Sequence, residues 1–232
     1  NYQKKKVWIL HCLYQINNID EIIHAANIVT NLDYKQIENI INELDINSEE
    51  FKLFFSDNFY EKYDDAKIFG RRLLWYIIAR ALKPDIIIES GVFEGLGSAL
   101  LVYALYKNSN EDKNIQSKFY GLDIRLNNKF LKDTNKINVN FIEKDSLEFL
   151  DNFNDNKKIL YISDAKHDYN FELKEYEKIK KNLKSGSIII SDNGVKALSE
   201  FSIKHNRKLI IFKESVSNHW YSGAKCIVSY NN

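Results

Sequence analysis

The chain is poor in the residues that break or staple a backbone. In 232 residues there is one proline, Pro84, and there are only 8 glycines, so collagen-like and proline-rich linker architectures are excluded. Methionine is absent, and local spacings are taken as written. Cysteine appears twice, as Cys12 and Cys226, with no metal-type spacing, which argues for a reduced, cytoplasmic protein without a disulfide framework. No apolar run approaches the roughly 18 residues that a membrane span needs. The first residues, NYQKKKVWILHCLY, lack the long apolar centre of a secretory signal. Neither sign of charge dominates: 33 Lys and Arg stand against 32 Asp and Glu. A net charge of +1 gives no global pull toward nucleic acid or anionic membrane.

What the chain does contain is core material: 44% hydrophobic and 13% aromatic residues, too apolar for disorder. Its length suits one core domain with a modest extension. The pattern changes at Pro84. Before it, the only glycine is Gly70 and the apolar spacing is helical. Asp20, Asp33 and Ser48 each precede such a stretch and can cap its first turn. A longer apolar helix is expected over 65–82, ended by Lys83-Pro84. Residues 1–65 therefore read as a helical N-terminal cap or extension on a domain of residues 66–232. Their short helices and narrow apolar faces need a partner surface, either over a crevice or in a second subunit of a homo-oligomer.

After Pro84, β-branched runs at 85–90, 118–124, 138–144, 158–164 and 187–193 alternate with helical stretches or long connections. Two further runs, 208–213 and 224–230, leave no room for a crossover helix and should pair antiparallel. This is an α/β fold: a seven-stranded, mostly parallel, Rossmann-like sheet with a terminal antiparallel hairpin.

In an open α/β sheet, ligands bind beyond the carboxyl ends of the strands, and four such ends are unusual here. The first runs into a glycine-rich turn, Glu89-Ser90-Gly91-Val92-Phe93-Glu94-Gly95-Leu96-Gly97, where the backbone can approach a ligand at a helix N-terminus. The second ends in Asp123, placed to accept ribose hydroxyls. The third is followed by Asp145-Ser146, a polar pair that could meet an adenine edge or simply start a helix. The fourth is a pair of ends, Asp164 and Asp192-Asn193. If those strands are neighbours, their oxygens converge as a hard cation such as Mg²⁺ requires. His167 and Lys166 lie in the same loop. Asp164 and Asp192 could instead cap the following helices, and His167 could be a surface residue.

These residues resemble those of class I methyltransferases that use S-adenosylmethionine, over residues 67–230. The resemblance implies that Glu89, Gly91, Gly95, Gly97, Asp123, Asp145 and Ser146 bind the methyl donor. The segment from Asp164 through His167, Tyr169 and Gly186 to Asp192 is similar to bacterial O-methyltransferases of the macrocin and cephamycin-biosynthesis type. The Asp192-Asn193 pair instead resembles that of catechol-type O-methyltransferases. That implies a Mg²⁺ site of Asp164, Asp192 and Asn193, with Asp164 and His167 catalytic and His167 as the base. The acceptor so implied is a small molecule or saccharide, such as a sugar hydroxyl of a glycan or glycosylated natural product. Two alternatives stay open. Gly91, Gly95 and Gly97 also match the turn of short-chain dehydrogenases, with Tyr176 and Lys180 as a Tyr-x-x-x-Lys pair. A non-catalytic S-adenosylmethionine-binding module, docking through its N-terminal helices, is the other.

Overall fold

The computed structural model describes residues 15–61, 69–132, 135–217 and 222–231. Cys12 lies outside them. A seven-stranded sheet forms the centre, built from β2 (Ile86–Ser90), β3 (Lys118–Asp123), β4 (Asn138–Glu143), β5 (Ile159–Ser163), β6 (Ile188–Asp192), β7 (Lys208–Lys213) and β9 (Lys225–Tyr230). The spatial order is β4-β3-β2-β5-β6-β9-β7. The strands β2 to β6 run parallel, and β9 inserts antiparallel between β6 and β7. Every strand expected from the sequence is present, and the hairpin closes the sheet. A separate two-stranded ribbon pairs β1 (Gln15–Ile16) with β8 (Val216–Ser217); runs of two residues carry no alternation to read.

Alternation along the strands sorts apolar side chains to two faces. Ile87, Leu160, Ile162, Ile188 and Ile190 point to one face, packed with α5 (Arg72–Leu82) and α6 (Leu96–Glu111). Ile86, Ile88, Ile159 and Ile189 point to the other. There they meet residues of α7 (Ser146–Asn152), α8 (Tyr169–Ile179) and α9 (Val195–Lys204). The helices before Pro84 join the first face. Ile22, Ile23, Ala26 and Val29 of α1 (Ile19–Thr30) and Ile37 of α2 (Tyr34–Asn42) belong to the same apolar cluster as the sheet. So do Phe51 of α3 (Glu49–Lys52) and Phe59 of α4 (Asp57–Tyr60). The surface that these short helices need is thus supplied by their own chain. A charged link ties them to it: Arg80 pairs with Glu43, just after α2, and with Glu111 at the end of α6.

Capping follows the sequence in part. Asp33 forms a full capping box with Gln36, and Ser48 accepts from the Phe51 amide. Asp20 does not cap α1, because that helix begins one residue earlier at Ile19. The preceding Asn18 is turned away to hydrogen-bond the backbone of Lys213 and Ser215. Of the helix expected over 65–82, Arg72–Leu82 is observed; residues 62–68 lie outside the described set. Lys83 takes a left-handed conformation at its end, ahead of Pro84.

Candidate active site

A cavity of about 690 Å³ opens beyond the carboxyl ends of β2 to β6. Its wall includes Gly91, Asp123, Asp145, Ser146, Asp164, His167, Asp192 and Asn193, so most residues singled out in the sequence converge. Glu89, Gly95 and Gly97 are not in this wall. Glu89 alternates to the sheet's other side, fully buried, and accepts from the Ser98 hydroxyl in the first turn of α6. Burial raises its carboxyl to about 8. A Cβ on Gly97 would collide with that carboxylate, so this glycine serves the packing of α6 on β2. Gly91 has φ +92 and a Cβ there would lie 2.3 Å from the Asp164 carbonyl, so only glycine lets the turn pass β5.

The acids at β3 and β4 are held by backbone. Asp123 accepts from the amides of Val92 at 3.0 Å, Phe93 at 2.9 Å and Arg125 at 3.0 Å. It fastens the glycine-rich turn to the end of β3. A carboxylate has about four lone-pair sites, so one is left. Asp145 is the N-cap of α7, accepting from Leu147 and Glu148. The Ser146 hydroxyl donates to Glu175. Both reach the cavity wall, with their side chains already partnered.

Glu175 was not singled out from sequence. It lies on α8, buried, and accepts from the hydroxyls of Ser90 at 2.6 Å, Ser163 at 2.7 Å and Ser146 at 2.5 Å. Burial raises its proton affinity, and the serines oppose that rise. The legible signal was Glu172 and Glu175 at helical spacing on the inward face of α8.

The other end of the cavity holds the acids of β5 and β6, which are neighbouring strands. Neither caps the following helix: Asp168 caps α8, and Gly194 precedes α9. Each meets an arginine instead. Arg71 grips both oxygens of Asp192 through Nε and Nη2. Its Nη1 and its backbone amide reach the buried Glu214 at 3.0 and 2.9 Å. Arg72 pairs with Asp164 at 3.3 Å and lies over the Trp75 ring. Burial would raise Asp192, but the Arg71 guanidinium outweighs it and holds the carboxyl below its ordinary value. Asp164 is raised well above the usual range, by burial and then by Asp192 beside it. Arg71 and Arg72 fall inside the apolar helix expected over 65–82, and two adjacent charges there were the unused signal.

His167 stands between acids, its Nε2 3.9 Å from Asp164 and its Nδ1 3.9 Å from Glu172. Its side chain is 48% exposed. Glu172 first, then Asp164 and Asp192, raise its pKa against the opposing effect of burial. Lys166, next to it in the loop, lies over the Phe171 ring. Two apolar residues flank the mouth: Phe93, left-handed at φ 49, and Ile124, 75% and 76% exposed.

A divalent cation here would have to draw on these same donors. One atom each of Asp164, His167 and Asp192 lie within 4.8 Å of one another. Asn193, in the same wall, is left-handed, and its side-chain oxygen accepts from the Lys225 amide of β9. The carboxylates are bound by guanidiniums rather than free. As arranged, the set of Asp164, Asp192 and Asn193 does not fit Mg²⁺. The cap expectation also changes, since among the described residues none before Arg71 lines the cavity. Helices α1 to α4 back the sheet. The dehydrogenase pair is likewise misplaced: Tyr176 packs on Phe201, away from the cavity, and Lys180 is exposed.

Comparison with known proteins agrees with this geometry. Residues 88–194 match the model of a family described as a methyltransferase domain. That stretch runs from β2 to the edge of α9 and holds the glycine turn and all the acidic strand ends. Just under half of the chain is thus similar to a methyltransferase domain, carried on the seven-stranded sheet described above. A search of curated proteins returned no match. Among solved structures, an O-methyltransferase from Bacillus cereus in complex with SAH aligns at TM-score 0.53 and 13% identity, over 84% of this chain and 100% of that one. The O-methyltransferase TomG from Streptomyces achromogenes, involved in tomaymycin synthesis and solved with SAM, aligns at 0.51 and 13%, over 85% and 96%. At such identities the likeness is one of fold. Among the described residues no helix is long and apolar enough to cross a membrane.

Proposed function

We propose that the chain moves the methyl group of S-adenosylmethionine to a hydroxyl oxygen, with a sugar hydroxyl as acceptor. The observation that carries the reading is a half-exposed imidazole, His167, in the wall of a cavity that extends to Asp123, Ile124 and Ser146 at the far strand ends. In this reading the nucleoside lies at the β3 and β4 ends. Asp123 has one lone-pair site left for a ribose hydroxyl, and Ile124 offers an apolar face. The sulfonium methyl then points toward β5 and β6.

The acceptor oxygen attacks the methyl carbon in line. The carbon–sulfur bond breaks with its electron pair going to sulfur, and the acceptor proton passes to His167. Neutral imidazole can take that proton at cellular pH, and the acids facing it stabilise the imidazolium that forms. Most of the acceleration comes from holding the two reactants in line. A reacting end lined by Arg71, Arg72, Lys166 and His167 suits an acceptor with several hydroxyls, which favours a saccharide over an apolar ring. Residues 15–61 act as a buttress to this domain, sharing its core.

Calorimetry with S-adenosylhomocysteine, followed by methyl transfer to a panel of glycosides read by mass spectrometry, tests the reading. The nucleoside product is expected to bind one per chain and at least one glycoside to gain a methyl group. Absence of S-adenosylhomocysteine binding would sink it.

A further inference from the structure

The acids at the ends of β5 and β6 already have a positive partner, and it is part of the chain. Three of the four carboxylate oxygens of Asp164 and Asp192 face guanidiniums. The fourth, Asp164 Oδ1, lies 3.9 Å from His167. Arg71 is also clamped from behind. Glu214 is fully buried, takes its Nη1 and backbone N–H, and is held by the Ala224 amide at 2.9 Å. Swinging Arg71 out would leave two buried carboxylates unpaired, a strongly unfavourable change. A divalent cation needs a shell of about six oxygens. Here it would meet two guanidiniums within contact of its ligands, and like charges at such range repel strongly in a buried site. The Asn193 oxygen already has one of its two lone pairs engaged by the Lys225 amide of β9.

We propose that Arg71 is the fixed positive charge of the reacting centre, in the place of a divalent cation. The inference rests on the reading of this cavity as the methyl-transfer site. A guanidinium has five N–H donors, and three of those of Arg71 are engaged by Asp192 and Glu214. The remaining two are free to hold the acceptor oxygen while its proton leaves to His167. Arginine stays charged across the working pH range, so this charge is present regardless of cation supply. Asp192 and Glu214 then act as positioning residues for Arg71.

The test is a titration of Mn²⁺, the probe, into protein saturated with S-adenosylhomocysteine, read by calorimetry and by the electron paramagnetic resonance of free Mn²⁺. Wild type is expected to show no binding below about 1 mM, while Arg71→Ala, which frees the carboxylates, should bind at least about tenfold tighter. If Arg71→Ala does not fold, Arg71→Gln serves the same end, since it removes the charge and keeps a hydrogen-bond donor. One Mn²⁺ bound per wild-type chain at micromolar concentration and lost in Asp192→Asn would overturn the proposal. So would a folded Arg71 variant with no gain in affinity. Wild type that binds Mn²⁺ and S-adenosylhomocysteine together loses only this inference. Wild type that fails to bind S-adenosylhomocysteine loses the methyl-transfer reading itself.

Discussion

The two ends of the cavity use the same residue type in different ways. At β3 and β4, Asp123 and Asp145 accept from backbone amides and so shape the turns beside them. At β5 and β6, Asp164 and Asp192 accept from guanidiniums. A carboxylate that holds backbone fixes a loop and can keep a lone pair for a ligand. A carboxylate buried against arginine sets a local field and leaves little room for another cation. Position at a strand end is therefore not enough to assign a role; the partner decides it.

The largest effects are expected at the reacting end. His167→Ala should slow methyl transfer by roughly 10²–10⁴ while S-adenosylhomocysteine binding stays unchanged, as expected for a positioned base. Unaltered turnover would return His167 to an ordinary loop residue. Asp192→Ala should cost about 3–5 kcal/mol of stability, because it strands Arg71 with fewer partners. Chemical denaturation would measure this, and a loss below 1 kcal/mol would show the pair to be a surface-like contact.

Glu89, a buried acid with a hydroxyl partner and, among the described residues, no arginine bonded to it, makes stability depend on pH. Its carboxyl lies at about 8, against an ordinary 4.5. Between those values the native state holds a proton that the unfolded state has lost. Its contribution is therefore complete below 4.5 and disappears as pH rises through 8. Glu89→Gln keeps an oxygen for Ser98 and removes the titration. Stability curves across that range should flatten, a difference on the order of 5 kcal/mol at the alkaline end. The smallest effect is expected at the donor end. Asp123→Ala should weaken S-adenosylhomocysteine binding by about 1–3 kcal/mol, the cost of hydroxyl and amide partners left unpaired. Unchanged calorimetric affinity would leave Asp123 as a fastener of the turn alone.

The sheet was legible because its strands are buried on both faces. Runs such as Ile86–Ser90 and Ile188–Asp192 carry no polar residue until their ends, and Pro84 marks where the period changes. The convergence of Asp123, Asp164, Asp192 and His167 followed from topology once parallel order was assumed. What the pattern could not show was who partners whom. Arg71 meets Asp192 across 121 positions and Glu214 across 143, and no local spacing encodes either pairing. The bond from β9 to the Asn193 side chain was hidden for the same reason, since β9 arrives only at the end of the chain.

Glu175 carries a consequence for assembly. Its three hydroxyl partners come from the end of β2, the first turn of α7 and the end of β5, and the acid itself rides on α8. Until all of these elements dock, the carboxyl sits in an apolar interior without its full set of donors. A partly formed sheet is thereby penalised while the complete one is not. Three crossovers laid down one after another along the chain are made to close together. This buried acid favours all-or-none cooperativity in the parallel half of the sheet.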